Sequence, residues 1–570
     1  MTDQMKVILK GKAAVTLWQQ GRDAWNRWVG EHPEADISFE STDLSSYQHI
    51  NFTGYHFPNG LISFKKTIFG DGETNFDRAK FGHCQVDFTG AMFGLGKLSF
   101  LSSEFEAGQF NFNNVHCGDT EIVFDMAAFG HINADFSQTE FGKGNLSFRH
   151  VTFSDGDINF SNSRFAGGNV SFSDSVFNTG DINFSGTHFG KGNTLFKGTR
   201  FIGGNVHFID ASFEGPLVSF SETHFGDTDV NFSDASFGDR NVNFEHVFFK
   251  CGDVDFSGAH FHCNDVSFFA ARFEICRVNF TSAKFRCETC EFNKMYLDQS
   301  PIRFNSILIG AEIFEFEDSI MNHFVDLRDI IIDENVQKLS FRHTAFRDSL
   351  SFSISGSSSM IPDFTESLLP TQVCVPMLNV DLLIQRKGIF TKALRPNDSE
   401  KLRILRRLVE KSGNTRLSKK LWKLQRRAQR WHTLTRLESV LDILVSFISG
   451  YGQYVCRPLF IILVLILLHT VFSVSDFSPQ SLNQKDLVAS AKELLLLTQH
   501  DWLASLSFAI HELFPYLPNI GSLNNQDSIT SHSLTTVLTP LPTSVRIICQ
   551  FFCIVCAVSA LIGIRNGFKD

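Results

Sequence analysis

The sequence predicts a mainly β chain, a long parallel solenoid, followed by an all-α domain with two apolar segments of membrane-spanning length. Three observations predict it. Phe recurs every twelve residues from Phe52 to Phe292, 21 times in succession. A second Phe follows five residues later, failing only at Cys117 and Leu297, so the two series use 40 of the 62 Phe. After residue 440 come the runs 459–474 (LFIILVLILLHTVFSV) and 545–564 (VRIICQFFCIVCAVSALIGI). A short fixed period marks a stacked repeat, in which each unit buries its apolar face only against its neighbours.

The chain opens, over residues 1–37, with an amphipathic helical pattern that includes Trp18, Trp25 and Trp28. It predicts an N-terminal capping helix, because an exposed strand edge invites aggregation. The start, MTDQMKVILKGKAAV, lacks the long apolar core of an export signal. The 12 Cys are therefore expected to be reduced and cytosolic.

The repeat region spans 38–364. Two residues before the first Phe usually stands a branched or aliphatic residue (Val206, Val230, Val254). Two residues before the second Phe usually stands a small one (Ala211, Ala235, Ala259). Residues two apart on an extended segment share a face, so Phe and partner both point inward. Gly190, Gly226, Gly238, Asp181 and Asn241 fall between the beats, where turns needing unusual dihedrals are expected. Two periods, 24 residues, close a four-sided coil. Ten such coils at about 4.8 Å each give a rod of roughly 50 Å.

Units such as Val230-Asn-Phe-Ser-Asp-Ala-Ser-Phe resemble those of pentapeptide-repeat proteins, in a Phe-rich variant with a Gly/Asp-rich spacer. The segment Trp25-Asn26-Arg27-Trp28 resembles the short helix that precedes the repeats in that family. The resemblance implies a right-handed quadrilateral β-helix.

Residues 365–440 predict a basic helical linker, with 13 Lys and Arg between Lys401 and Arg436. Arg426, Arg427, Arg430 and Arg436 are the candidates for facing anionic lipid. The charge is uneven: residues 365–570 hold 23 basic and 14 acidic side chains, and the first 364 hold 28 and 47.

Residues 441–570 predict a two-span membrane domain, since about 20 apolar residues cross a bilayer. Basic residues flank the pair from outside (Arg457 before, Arg565 and Lys569 after), and residues 478–544 hold only Lys485 and Lys492. Both ends are therefore expected in the cytoplasm. Between the spans, residues 500–522 are a re-entrant or interfacial segment. That order resembles the pore region of two-span cation channels. His511, Glu512, Phe514, Pro515, Tyr516, Pro518, Asn519 and Gly521 are its pore candidates; an amphipathic helix on the outer surface is the alternative. The filter-like Gly450-Tyr451-Gly452 precedes the first span, where no filter forms. Tyr451, Gly452, Arg457 and Pro458 instead resemble the junction of pentapeptide-repeat membrane proteins, and Ile564-Arg565-Asn566-Gly567-Phe568 resembles their ending.

The expected protein is thus a multi-pass membrane protein, by resemblance of the bacterial inner membrane. A cytosolic β-helix would sense a protein or ligand and control a channel-like pore. Two spans cannot enclose a pore, so a homo-oligomer is required, a tetramer by analogy. A membrane-tethered scaffold without conduction is the alternative. A DNA-mimicking topoisomerase inhibitor ranks below both, and nucleic acid is not the expected partner. No Walker loop, nucleophile elbow or His-Glu-x-x-His motif occurs, so no enzyme, cofactor or metal site is expected. Cys287 and Cys290 form a CxxC, but their phases in the repeat predict that they do not converge. Cys263 and Cys287, 24 residues apart, are expected to stack on neighbouring coils.

Overall fold

The computed structural model describes residues 6–238, 240–387, 390–451, 456–474 and 543–567, and the single positions 506, 509, 510 and 513. The chain forms two compact units, Met1–Ala428 and Gln429–Asp570.

The first unit is a parallel β-helix. Each coil carries four short strands, for example Ile158–Asn159, Arg164–Phe165, Val170–Ser171 and Val176–Phe177. Each strand pairs in parallel with the one a coil later. One ladder runs from Ile37 to Ile62 and Val86. It then takes 24-residue steps through Phe110, Ala134, Ile158, Ile182, Val206, Val230, Val254, Val278 and Ile302. Val325, Leu350 and Val373 complete it. These rungs, at the usual strand spacing, make a rod of roughly 70 Å. That exceeds the expected length because the later coils fill the same columns with Leu297, Ile309, Met321 and Leu327, which a count of Phe does not register.

The Phe side chains stack in columns. Phe196, Phe220, Phe244 and Phe268 follow one another at centroid distances of 4.9, 4.9 and 4.7 Å, within 3° of parallel. Across the interior, columns meet edge to face, as Phe208 meets Phe220 at 5.5 Å and 86°. Aromatic pairs favour both geometries.

The turns differ from expectation. The left-handed residue lies two after each first Phe and is usually not Gly: Asp174, Asp210, Glu222, Asp234 and His246 have φ of 60, 56, 58, 55 and 54°. The following residue donates back to the Phe carbonyl (Ala211 N to Phe208 O, 3.1 Å), which closes a type II turn. Buried hydroxyls reinforce these corners from the next coil: Thr187 Oγ1 donates to Phe160 O at 2.7 Å, and Thr199 Oγ1 to Phe172 O at 2.8 Å. Gly190, by contrast, is required by proximity, because a Cβ there would lie 1.9 Å from the Phe165 carbonyl oxygen.

Both ends of the rod are covered. At the start, a strand (Ile8–Lys10) and two helices, α1 (Lys12–Gln19) and α2 (Arg22–Glu31), replace the single expected helix. Gly21 breaks it with φ 90°. Trp25 is buried against Phe39, Phe52, Tyr55 and Phe57, and its Nε1 donates to His56 O at 2.8 Å. Asn26 satisfies the adjacent backbone, donating to Gly54 O and accepting from His56 N.

At the far end, an antiparallel hairpin (Ile384–Lys387 with Phe390–Ala393) precedes α3 (Asp398–Lys411) and α4 (Thr415–Gln429). These basic helices carry an apolar face. Leu402, Leu405, Leu408 and Leu421 are fully buried and join the solenoid core. Lys411 Nζ caps the last coils by donating to Leu369 O and Pro370 O. A row of unpaired strand edges is thereby closed by an apolar helix face.

The second unit contains α5 (Arg436–Ser449), α6 (Cys456–Val474) and α7 (Thr543–Gly567), which pack on one another. Thr435 and Glu438 form a capping box at the start of α5. Among the described residues no helix is long and apolar enough to cross a membrane. Described side chains in the two expected spans are those of 456–468 and 547–561.

Candidate functional site

A groove runs along one corner of the β-helix. Three adjoining hollows of about 540, 460 and 400 Å³ share Glu214 and then Arg286, so they read as one channel from His116 to Asn335. The residue after each second Phe forms its floor, at Gly118, Gly142, Ala166 and Gly190. Coils approach closely at this corner: a Cβ on Gly142 would lie 1.4 Å from Gly118 O. Side chains are thus excluded from the floor, and those on either side form walls.

The walls are charged. His116 Nδ1 meets Glu140 at 2.9 Å and His188 Nε2 meets Glu214 at 3.8 Å. Asp119 accepts the backbone N–H of Lys143 at 2.8 Å. Three carboxylates are therefore engaged. Of the cations that line the first hollow, Arg164 and Lys191, on successive coils, have no ion pair among the described residues. Sequence reasoning missed this groove, although the 24-residue recurrence of Gly at 118, 142, 190 and 238 was its signal.

Three cysteines lie at this corner of the β-helix. Cys263 lines the second hollow and Cys287 the third. Cys290 is buried, and burial, followed by the neighbouring Cys287, pushes its thiol well up. Burial likewise raises the Cys263 thiol. Among the described residues no group of three or more His, Cys, Asp or Glu is placed to hold a metal ion.

In the helical unit the polar residues gather inside. Arg430 Nε contacts Asp442 Oδ2 at 2.6 Å, and both side chains are buried. Arg430 Nη2 donates to Tyr451 Oη at 2.8 Å, and Tyr451 Oη donates to Asp442 Oδ2 at 2.7 Å. Gly450 and Tyr451, both left-handed at φ 54 and 63°, turn the chain after α5 and return the phenol to this pair. Burial, then the bond to Asp442, raises the Tyr451 phenol. The expectation that Arg430 faces lipid is corrected: a guanidinium with this partner set is committed to the interior. Arg426 is half-buried, whereas Arg427, Arg436 and Arg457 are exposed and Pro458 is buried. Gly452 and all eight pore candidates (His511, Glu512, Phe514, Pro515, Tyr516, Pro518, Asn519 and Gly521) lie outside the described residues.

No family model, no curated protein and no solved structure matches this chain. The repeat β-helix therefore stands on its own Phe columns and pairing, and these define the class of protein: a capped parallel β-solenoid joined to a helical unit.

Proposed function

We propose that the chain is a membrane-bound recruiting protein of the pentapeptide-repeat type. Its right-handed β-helix holds a cytosolic partner, and its helical unit sits in the bilayer with both ends of the chain cytoplasmic. One observation carries this reading. Large apolar side chains cover the outside of the helical unit, Leu437, Phe447, Phe460, Leu463, Phe551, Ile554 and Leu561 among them. Patches of that extent on a water-soluble unit would mark it for association with a partner surface or lipid. Along α6 and α7 they lie within the two apolar runs of the sequence, which favours lipid. Alkaline carbonate extraction of membranes from expressing cells tests it. The protein is expected to stay in the pellet, and release into the supernatant would overturn membrane insertion.

The channel is the second reading. It is favoured by the packing of α6 on α7 and by a face of small residues on α7, where Cys553, Cys556 and Ala560 are buried. Small residues let helices approach closely in lipid. A pore needs several copies, a tetramer by analogy with two-span channels. Mass photometry of the detergent-extracted protein, beside a chain ending at residue 440, reads this directly. A closed oligomer that depends on residues 441–570 would justify current recordings in planar bilayers. A monomer would leave the tethered scaffold.

A further inference from the structure

We infer that Cys263 and Cys287 form a reversible disulfide on oxidation by a hydroperoxide, a staple between two successive coils of the β-helix. The staple does not depend on the membrane role proposed above. It follows from the register of the coils and from the hollows onto which the two residues open.

The register holds the two residues over one another. They are 24 residues apart, one full coil. Two positions earlier Phe261 pairs in parallel with Phe285, and their rings stack at 4.9 Å. One position later Glu288 N donates to Asn264 O at 2.7 Å. Bracketed by these contacts, Cys263 and Cys287 lie one strand spacing apart, about 4.8 Å. Disulfides form where Cα atoms stand about 4.4–6.8 Å apart. Stacked Cβ atoms at the strand spacing are roughly 1 Å beyond the usual disulfide separation, so the two coils must draw together slightly. A bond made under that constraint is readily reduced, which suits a switch better than a permanent brace.

Both residues are only 7% exposed, yet Cys263 lines the second hollow and Cys287 the third, so a small oxidant reaches them from the groove. Cys290, the other cysteine beside Cys287, is fully buried on the ladder between Val266 and Phe314. One coil beyond Cys287 the same column holds Ala311, so the staple ends there. In the reaction one thiolate attacks a peroxide oxygen and becomes a sulfenic acid, and hydroxide leaves. The second thiolate attacks that sulfur, the S–S bond forms and another hydroxide leaves. Two thiols and one hydrogen peroxide thus give one disulfide and two waters; sulfur is oxidised and peroxide oxygen is reduced. Burial raises the Cys263 thiol, so it rests protonated and the step needs excess peroxide. In a reducing compartment such a bond is transient, the pattern of disulfides that sense oxidation.

The test uses the full chain in detergent, treated with excess hydrogen peroxide while folded, then alkylated, digested with trypsin and read by mass spectrometry. Cys263 then lies in peptide 251–272, and Cys287 with Cys290 in peptide 287–294. The expected main product joins these two peptides, and glutathione restores both thiols. Cys263→Ala and Cys287→Ala, which copy Ala311 of the same column, should each abolish the link. Cys290→Val, which copies Val266 on the same ladder, should leave it. The fully buried Cys117 should stay a free thiol and so report that the chain is folded. Four outcomes would overturn the inference. These are no oxidation in excess peroxide, a bridge closed within peptide 287–294, a link that survives Cys263→Ala, or linkage only after urea has also exposed Cys117.

Discussion

The two units of this chain are built inside out relative to each other. In the β-helix the largest apolar side chains are buried, Phe220 and its column completely so, and the charges line the outside. In the helical unit Leu437, Phe447 and Phe551 are 73, 75 and 61% exposed, while Arg430, Asp442, Ser439 and Ser449 are buried. Apolar surface left open to water is costly, at roughly 25 cal/mol per Å², so one sequence does not favour both arrangements in one solvent. The difference teaches that the units answer to different surroundings, water for the first and an apolar phase or partner for the second.

The largest effect should come from treating the same residue type alike in both. Phe220→Ala in the rod should cost about 3–5 kcal/mol, because its ring is stacked between Phe196 and Phe244 and the coils cannot collapse around the void. Phe551→Ala on α7 should change stability in detergent by no more than about 0.5 kcal/mol. Thermal unfolding of the two variants compares them. Equal losses would break the contrast, since they would mean that Phe551 is packed like a core residue.

The polar interior of the helical unit makes the converse prediction. Asp442→Ala leaves the Arg430 guanidinium buried without its carboxylate, and should cost about 3–5 kcal/mol. The pair replacement Arg430→Met with Asp442→Leu should recover most of that loss, because the charge requiring a partner is gone. If the double variant melts as low as the single one, the triad with Tyr451 organises the fold beyond its charge balance.

How much of this was legible in the sequence follows the same division. In the rod a residue's role repeats every 24 positions, so periodicity alone placed Phe52 to Phe292 in the core, while Trp25 was placed at the cap by its amphipathic pattern and its Trp-Asn-Arg-Trp motif. The helices α3 and α4 read as a basic linker because their cations drew the eye to lipid, whereas the stripe Leu402, Leu405, Leu408 and Leu421 closes the last coil. The groove escaped notice because its floor glycines looked like turn residues, when they are fixed by backbone crowding. The Arg430–Asp442–Tyr451 network left no pattern, since it joins three positions with no common spacing. Of the candidate site, the junction Tyr was singled out for its motif, and its hydrogen bonds were beyond reach of one-dimensional reading.

A smaller effect sharpens how strictly the rod keeps its order. Where Cys117 interrupts the second Phe series, Phe112 leaves its column, standing 53 and 49° from Phe88 and Phe136. It lies instead nearly parallel to Phe93 and Phe141, at 6.1 and 6.4 Å, over the space a ring at 117 would fill. Phe110, on a ladder that otherwise carries aliphatic residues, packs parallel to Phe112 at 6.1 Å. Cys117→Phe alone should therefore overpack the coil and cost about 1–3 kcal/mol. Adding Phe110→Val should restore stability, a coupling that a double-mutant cycle measures. Additive losses would mean that the three sites do not share one space.

The smallest effect concerns the buried polar atoms that the rod does admit. Unlike Arg430, Thr187 brings no charge inside; its hydroxyl donates to Phe160 O, which also accepts the Ser163 backbone N–H at 3.2 Å. Thr187→Val keeps the shape and removes the donor, and the carbonyl retains its backbone partner. Desolvation without a bond is thereby avoided, so the expected loss is only about 1 kcal/mol, the net contribution of one hydrogen bond. A loss near that of Asp442→Ala would show that these hydroxyls hold the corners of the coil. No loss would show that the Phe columns and the backbone ladder suffice, and that the rod, in contrast to the helical unit, owes nothing measurable to polar groups in its interior.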